Sequence, residues 1–158
     1  ILNGGPNATG NIGNATTYFN TVFAKATSAQ YADLAEKYVA DADYTPGTVL
    51  SFGGANEVTI STQDLDPRII GVVSTKPAYQ MNSGLKGDYV IPVALTGRVP
   101  CRVQGPVTKG QVLVTSNVPG TAMAIDASKF QPGVVIGKSL ENITTNEITT
   151  IEVVVGRF

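Results

Sequence analysis

The chain has 158 residues, a formal net charge of −1, 42% hydrophobic residues and 15% charged residues, which is enough apolar material for the core of one ordinary domain. It contains no histidine and one cysteine, which excludes histidine-based zinc sites, Cys–His and Ser–His–Asp catalytic sites and an intrachain disulfide. The basic residues are scattered and no apolar run reaches 18 residues, so we expect no nucleic-acid binding, no membrane insertion, no metal and no cofactor.

The first 26 residues are predicted to be the end of a stem. Within them, residues 17–25 alternate, with Phe19, Thr21 and Phe23 on one face of a predicted strand and Tyr18, Asn20 and Val22 on the other. An isolated strand is marginal in water, so its partners are expected in the body of the chain or in other copies of the chain.

Residues 27–38 have the spacing of a short amphipathic helix, which with a linker occupies residues 27–45. Tyr31, Leu34, Ala35 and Tyr38 fall at i, i+3, i+4 and i+7 and would line one face of about two turns. Thr27 and Gln30 have the spacing of a capping box.

From residue 46 to residue 158 the sequence predicts a β-rich C-terminal domain, a compact sandwich or barrel. Short β-branched runs alternate with turn signals at the spacing typical of such folds. Pro92 and Pro100 lie inside strand patterns, which favours edge strands or bulges there. The predicted strands cover residues 47–52, 57–61, 68–74, 89–95, 98–103, 111–115, 134–136 and 148–155.

Three short patterns recur in the same order in both halves of this body. Residues 46–50 match 109–113, residues 70–74 match 136–140, and residues 95–99 match 154–158. The recurrence predicts an internal duplication, with repeats at about 46–99 and 109–158.

Several motifs together resemble the C-terminal region of tailed-bacteriophage tail-fibre and appendage proteins. They are Gly10-Asn-Ile-Gly13, Tyr18 to Thr27, Tyr31-Ala-Asp-Leu-Ala-Glu-Lys-Tyr38, Asp43 to Leu50, Gly71 to Tyr79 with Met81-Asn82, Val93 to Cys101, and Gly105 to Gly110. The resemblance implies a virion protein that forms a homotrimer, in which this module aligns three chains and caps the fibre, and whose partners are its own copies and the rest of the fibre. On this hypothesis the trimer interface contains Phe19, Phe23, Tyr31, Leu34 and Tyr38.

Some relatives of this terminal module are intramolecular chaperones that cut themselves from the fibre before a serine. The resemblance places the nucleophile at Ser28 and the acid/base groups at Asp33 and Glu36. A carboxylate can take the proton of a hydroxyl that attacks its own peptide bond. In the structural alternative, Ser28 helps to cap the helix, Asp33 pairs with Lys37, and Glu36 is solvated.

Two further functions stay open at this stage. The terminus could itself be the receptor module, binding a host cell-surface glycan through Tyr79, Asn82, Asp88 and Tyr89, although scattered tyrosines are also typical of cores and interfaces. Glycan cleavage would need paired carboxylates; Asp64 and Asp66 offer a pair, but Asp66-Pro67 is typical of a turn. Cys101 is expected to be a small buried side chain.

Overall fold

The fold is mainly β, as the sequence predicted. The computed structural model describes residues 4–6, 9–23 and 28–156; within these ranges it contains ten strands and one 3-10 helix, at Ala127–Lys129, and no α-helix. The strands are β1 Asp33–Val39, β2 Val49–Phe52, β3 Val58–Ile60, β4 Ile69–Val73, β5 Tyr79–Met81, β6 Val90–Gln104, β7 Val112–Thr115, β8 Ala122–Ala124, β9 Val135–Ser139 and β10 Ile148–Val155.

The strands close into two similar five-stranded barrels that share β6. In the first unit, residues 33–97, the order is β1–β6–β4–β2–β3, and a bridge from Ala40 to Val58 returns to the end of β1. In the second unit, residues 98–156, the order is β6–β10–β9–β7–β8 and back to β6. Closure leaves few unpaired strand edges in either unit.

The two units have the same hydrogen-bonding register. Each contains an antiparallel pair with a bulge after its second residue pair, between Leu50 and Ser51 in the first unit and between Leu113 and Val114 in the second. Gly47 and Gly110 precede the equivalent strands β2 and β7 with positive φ angles of 87° and 88°. The matching pairs are Val49↔Val72 and Leu50↔Gly71 in the first unit, and Val112↔Lys138 and Leu113↔Gly137 in the second. This agreement is what a duplicated sequence would produce.

Equivalent apolar residues fill the two barrels. Leu50, Ile70 and Val93 lie in the core of the first unit, and Leu113, Ile136 and Val153 lie at the same positions in the core of the second. All six are at least nine-tenths buried, and each such side chain contributes about 1.5–3 kcal/mol by leaving water.

The predicted helix at residues 27–38 is wrong where the structure describes it. Residues 33–39 form β1, which pairs antiparallel with β6 along its whole length and parallel with β5. Leu34 and Tyr38 are spaced for a helix, but together with Glu36 they also fit the alternation of a strand. A two-turn helix is marginal alone, whereas the strand pairs on both sides, so tertiary pairing decides the conformation.

The predicted strand at residues 17–25 is also absent from its described part, residues 17–23. This part is irregular and exposed, and residues 24 and 25 lie outside the described ranges. The Asn14 side chain accepts hydrogen bonds from the backbone amides of Thr16 and Thr17 and forms a local turn. None of the strands in the described ranges pairs with this segment, and an isolated strand is marginal in water.

Two predicted strands, at 89–95 and 98–103, are one continuous strand, β6, at the centre of the fold. The expectation that Pro92 and Pro100 mark edge strands is therefore wrong. The Pro92 carbonyl accepts a hydrogen bond from the Ser74 amide, one residue beyond the end of β4. A residue with an N–H at this position would point it beyond the end of β4. Proline therefore costs the sheet no hydrogen bond there.

Candidate functional site

The first strand begins where it crosses β6 closely at Gly97. The glycine has φ of 104°, and a Cβ atom there would overlap the carbonyl oxygen of Ala32. The Arg98 amide donates to that same oxygen at 3.2 Å, and the Ala78 amide donates to the Asp33 carbonyl oxygen at 2.8 Å. The crossing therefore fixes the backbone on which Asp33 is carried.

A cleft of about 390 Å³ opens beside this crossing. We call it the junction cleft; its polar and charged lining comes from Gln30, Tyr31, Asp33, Thr75, Lys76, Arg98 and Glu152. The Lys76 Nζ atom lies 6.0 Å from the centre of the Tyr31 ring, within the range of a cation–π contact. The cleft thus brings together side chains from β1, the β4–β5 loop, β6 and β10.

The most unusual group in the junction cleft is the Asp33 carboxylate. The residue is only 5% exposed, and its Oδ2 atom has no hydrogen-bond partner within the described ranges. Buried polar atoms in native proteins nearly always have a partner, because an unpaired buried carboxylate oxygen loses its hydration without compensation. Asp33 therefore points to a ligand, a partner or a reaction at this cleft.

The structure separates the three residues predicted for self-cleavage. Ser28 is exposed, five residues before Asp33. Asp33 and Glu36 are three residues apart in a strand, so their side chains leave opposite faces instead of being neighbours on a helix. Glu36 Oε2 accepts a hydrogen bond from the Tyr38 hydroxyl at 2.9 Å. Of the two carboxylates, Asp33 alone faces the junction cleft.

The residues predicted for the trimer interface fall into two groups. Phe19, Phe23 and Tyr31 are exposed, and Phe23 is 96% exposed. Leu34 and Tyr38 are half-buried on β1, and Tyr38 packs edge-to-face on the ring of Phe52 with 6.2 Å between ring centres. The described residues of the same chain leave the side chains of the first group exposed, whereas Tyr38 contributes to the core of the first unit.

The residues predicted to bind a glycan are all exposed, but they do not converge. Tyr79 pairs with Leu34 near one end of β1, and the Tyr89 carbonyl accepts from the Ala40 amide just past the other end. Six residues of strand separate these points, about 20 Å. Asn82 adopts φ of 54°, and its side-chain amide donates to the Lys37 carbonyl oxygen, which holds the loop against β1. Asp88 lies in the exposed loop before Tyr89. Glycan binding by this set stays a prediction.

Asp64 and Asp66 connect the two units. The Asp64 carboxylate accepts from the Asn117 amide, and the Asp66 amide donates to the Thr115 hydroxyl at 2.8 Å. Asp66 is buried and accepts two hydrogen bonds, at 3.0 and 3.1 Å, from the guanidinium of Arg68. Burial raises the pKa of Asp66, but the hydrogen bonds from Arg68 outweigh burial, and the net pKa lies below its ordinary value. Both carboxylates are engaged in holding the loop between β3 and β4.

Cys101 is fully buried on β6, as expected. Burial raises the pKa of its thiol to about 12, so the thiolate is negligible at neutral pH. Cys101 occupies the place in the second unit that Tyr38 occupies in the first, because both strands keep the same register with their neighbours.

Sequence reasoning missed Lys76, Arg98 and Glu152. Each is an isolated charged residue. Arg98 and Glu152 are brought to Asp33 by the pairings of β6 with β1 and β10, and Lys76 by the pairing of β1 with β5. The part of the chain that the structure describes contains no group of three potential metal-ligating side chains. None of its helices is long and apolar enough to cross a membrane.

No protein-family model matches the sequence, and no curated protein matches it. Solved structures do match the fold. The chain superimposes on the pre-mature gene product 12 of bacteriophage phi29 with a TM-score of 0.60 and 13% identity, over 85% of this chain but only 23% of that protein. It superimposes on the C-terminal fragment of phi29 gene product 12 with a TM-score of 0.53 and 13% identity, over 78% of this chain and 98% of the fragment. At the level of the fold, these matches confirm that the chain resembles the C-terminal region of a bacteriophage appendage protein.

Proposed function

We propose that the chain is the C-terminal part of a homotrimeric phage tail fibre, carried on the virion, where it joins three chains and caps the fibre. One observation carries this proposal. Six large apolar side chains are exposed between residues 12 and 31, while the barrel cores of the same chain are closely packed. They are Ile12, Tyr18, Phe19, Val22, Phe23 and Tyr31.

Assembly is the economical way to remove these side chains from water. Burying one Phe or Tyr side chain contributes about 1.5–3 kcal/mol, and several per chain can offset the entropy lost on association. Tyr18, Phe19, Val22 and Phe23 are all exposed on one irregular segment. Neighbouring copies can cover such a segment from more than one side when each copy has two neighbours, as in a closed ring of three.

The shared fold with the phi29 gene product 12 fragment supports this proposal, since that fragment is the C-terminal portion of a phage protein. The identity of 13% limits this support to architecture.

The mass of the full chain in solution tests the proposal. Light scattering after gel filtration is expected to give three times the chain mass of 16.4 kDa. The double variant Phe19→Ser, Phe23→Ser is expected to dissociate at concentrations where the parent chain is assembled. Phe130→Ser, which changes an exposed aromatic residue on the body, is the matched control and should assemble like the parent. A parent chain that is monomeric at every concentration contradicts the proposal.

Self-cleavage is a second candidate, favoured by the unpartnered oxygen of Asp33, which follows Ser28 by five residues. The Ser28 hydroxyl would attack the carbonyl carbon of residue 27 while a carboxylate accepts its proton; the C–N bond breaks to leave an ester and a free amine, and water then hydrolyses the ester. A denaturing gel of the parent chain, Ser28→Ala and Asp33→Asn tests this. A smaller band that appears in the parent alone supports cleavage, and identical patterns in all three contradict it.

Host attachment is a further role that we propose for the exposed residues of β5 and of the loop that joins β5 to β6. Labelled protein is expected to bind host cells, and Tyr79→Ala and Tyr89→Ala are expected to weaken binding separately, since the two rings are too distant to hold one sugar. Binding that both variants retain in full, with assembly intact, contradicts this role for these residues.

A further inference from the structure

Four charged side chains line the junction cleft, two of each sign: Asp33 and Glu152, Lys76 and Arg98. Within the described ranges, none of the four is in an ion pair; the ion pair there joins Asp66 and Arg68. Four charges gathered in one cleft without pairing is an unusual arrangement, because opposite charges at short range normally pair.

The backbone of Asp33 is fixed at the crossing. Its carbonyl oxygen accepts from the Ala78 amide, and its Cα atom lies against Gly97, whose missing side chain makes the crossing possible. Its Oδ2 atom is buried and has no hydrogen-bond partner within the described residues. A cation that another molecule brings to the mouth of the cleft would lie close to both Glu152 and Asp33.

We propose that a second copy of this chain completes the junction cleft: a cationic side chain of that copy lies against Glu152, beside the buried Asp33, and Lys76 and Arg98 pair with acidic side chains of a neighbouring copy. The inference rests on the proposed trimer and identifies the surface of the body at which its copies meet.

Two observations favour a copy of the chain over another partner. The cleft carries equal numbers of cations and anions, so it can be complementary to an identical surface, whereas a site for an acidic or basic partner would carry an excess of one sign. The cleft is also continuous with the exposed apolar segment, since Tyr31 belongs to both. Assembly of the segment therefore brings the clefts of the copies close together.

The test measures assembly of full-length charge variants by light scattering across a dilution series. Lys76→Glu and Arg98→Glu reverse exposed charges of the cleft, and Asp33→Asn removes the buried charge with little change of shape. Lys109→Glu is the matched control, because it reverses an exposed lysine on the turn before β7, outside the cleft. Thermal unfolding of each variant verifies that it folds, and the two exposed reversals keep the test decisive if Asp33→Asn does not fold.

We expect each reversal to raise the concentration at half-dissociation at least tenfold, because each copy in a ring repeats the repulsive contact. The control should dissociate like the parent, and 0.5 M NaCl should weaken the parent more than the variants, since salt screens the contacts that the variants have lost. An assembled parent whose cleft variants dissociate no sooner than Lys109→Glu overturns this inference and leaves the trimer standing. A monomeric parent overturns the proposed function and this inference with it.

Discussion

The two units share one hydrogen-bonding register, yet the equivalent surface is buried in the first unit and exposed in the second. In the first unit, a row across four paired strands is fully buried and entirely apolar: Ala35, Ala94, Val72 and Val49. In the second unit, the equivalent row is partly or fully exposed and carries two cations: Arg98, Val154, Lys138 and Val112.

The difference lies in what covers each row. Val49, Val72 and Ala94 belong to the same buried cluster as the core of the second unit, so the second unit covers this row of the first. The equivalent row of the second unit is partly or fully exposed within the described residues, and it carries two cations. The same strand register is thus compatible with a buried or a solvated face. The side chains of a single row determine whether that face is buried or solvated.

Val72→Lys is expected to have the largest effect on stability. It places in the first row the lysine that stands at the equivalent position of the second row. An ammonium group would be buried between the two units without a partner, and we expect a loss of more than about 3 kcal/mol from the free energy of unfolding. Urea denaturation followed by circular dichroism measures the loss. A Val72→Lys chain as stable as the parent would show that the row is not sealed by the second unit.

The glycines at equivalent places in β4 and β9 should respond alike. A Cβ atom at Gly71 would overlap the Ala94 carbonyl oxygen, and one at Gly137 would overlap the Val154 carbonyl oxygen. Gly71→Ala and Gly137→Ala are therefore each expected to cost about 1–3 kcal/mol of unfolding free energy, because backbone must move in both cases. Equal shifts of the urea midpoint would support the structural equivalence of the two glycines, and a large shift at one site alone would contradict it.

Asp66→Asn tests a contact that the first unit has and the second lacks, since Pro132 stands at the equivalent distance before β9 and has no carboxylate to accept hydrogen bonds. We expect a loss of about 1–3 kcal/mol at pH 7, because buried hydrogen bonds of the carboxylate are weakened.

The pH dependence of this loss follows from the lowered pKa of Asp66. The carboxylate stabilises the fold fully above its ordinary pKa of 3.8, and the contribution disappears as the pH falls through the lower pKa of the folded state. The difference in unfolding free energy between parent and Asp66→Asn should therefore shrink below pH 4. A difference that grows on acidification would contradict this assignment.

Lys138→Val should have the smallest effect on the free energy of unfolding. It is the reverse of Val72→Lys, since it places the valine of the first row in the second. The lysine is exposed in the second row, and apolar substitutions at exposed strand positions usually change stability by no more than about 0.5 kcal/mol. The variant is more informative in gel filtration, where the new apolar row is expected to promote association. Destabilisation comparable to that of Val72→Lys would mean that the second row is not a solvated face.

Most of the β body could be predicted from the sequence, because turn residues and β-branched runs act locally. The limits of β2, β4 and β7 lie within one or two residues of their predictions. The segment at 33–39 was mispredicted because Leu34 and Tyr38 fit both periods, and only its pairing with β6 selects the strand. The junction cleft could not be predicted, since Asp33, Lys76, Arg98 and Glu152 are scattered over 120 positions of sequence and meet through the sheet alone.

The shared strand β6 has a mechanical consequence. Residues 90–97 close the first barrel and residues 97–104 close the second, and Gly97 stands at the boundary between them. Opening either barrel therefore frees an end of the strand that closes the other, so heat or denaturant should unfold both in one cooperative step. A pulling force applied before β1 would act on β1 first and, through β6, on both barrels at once.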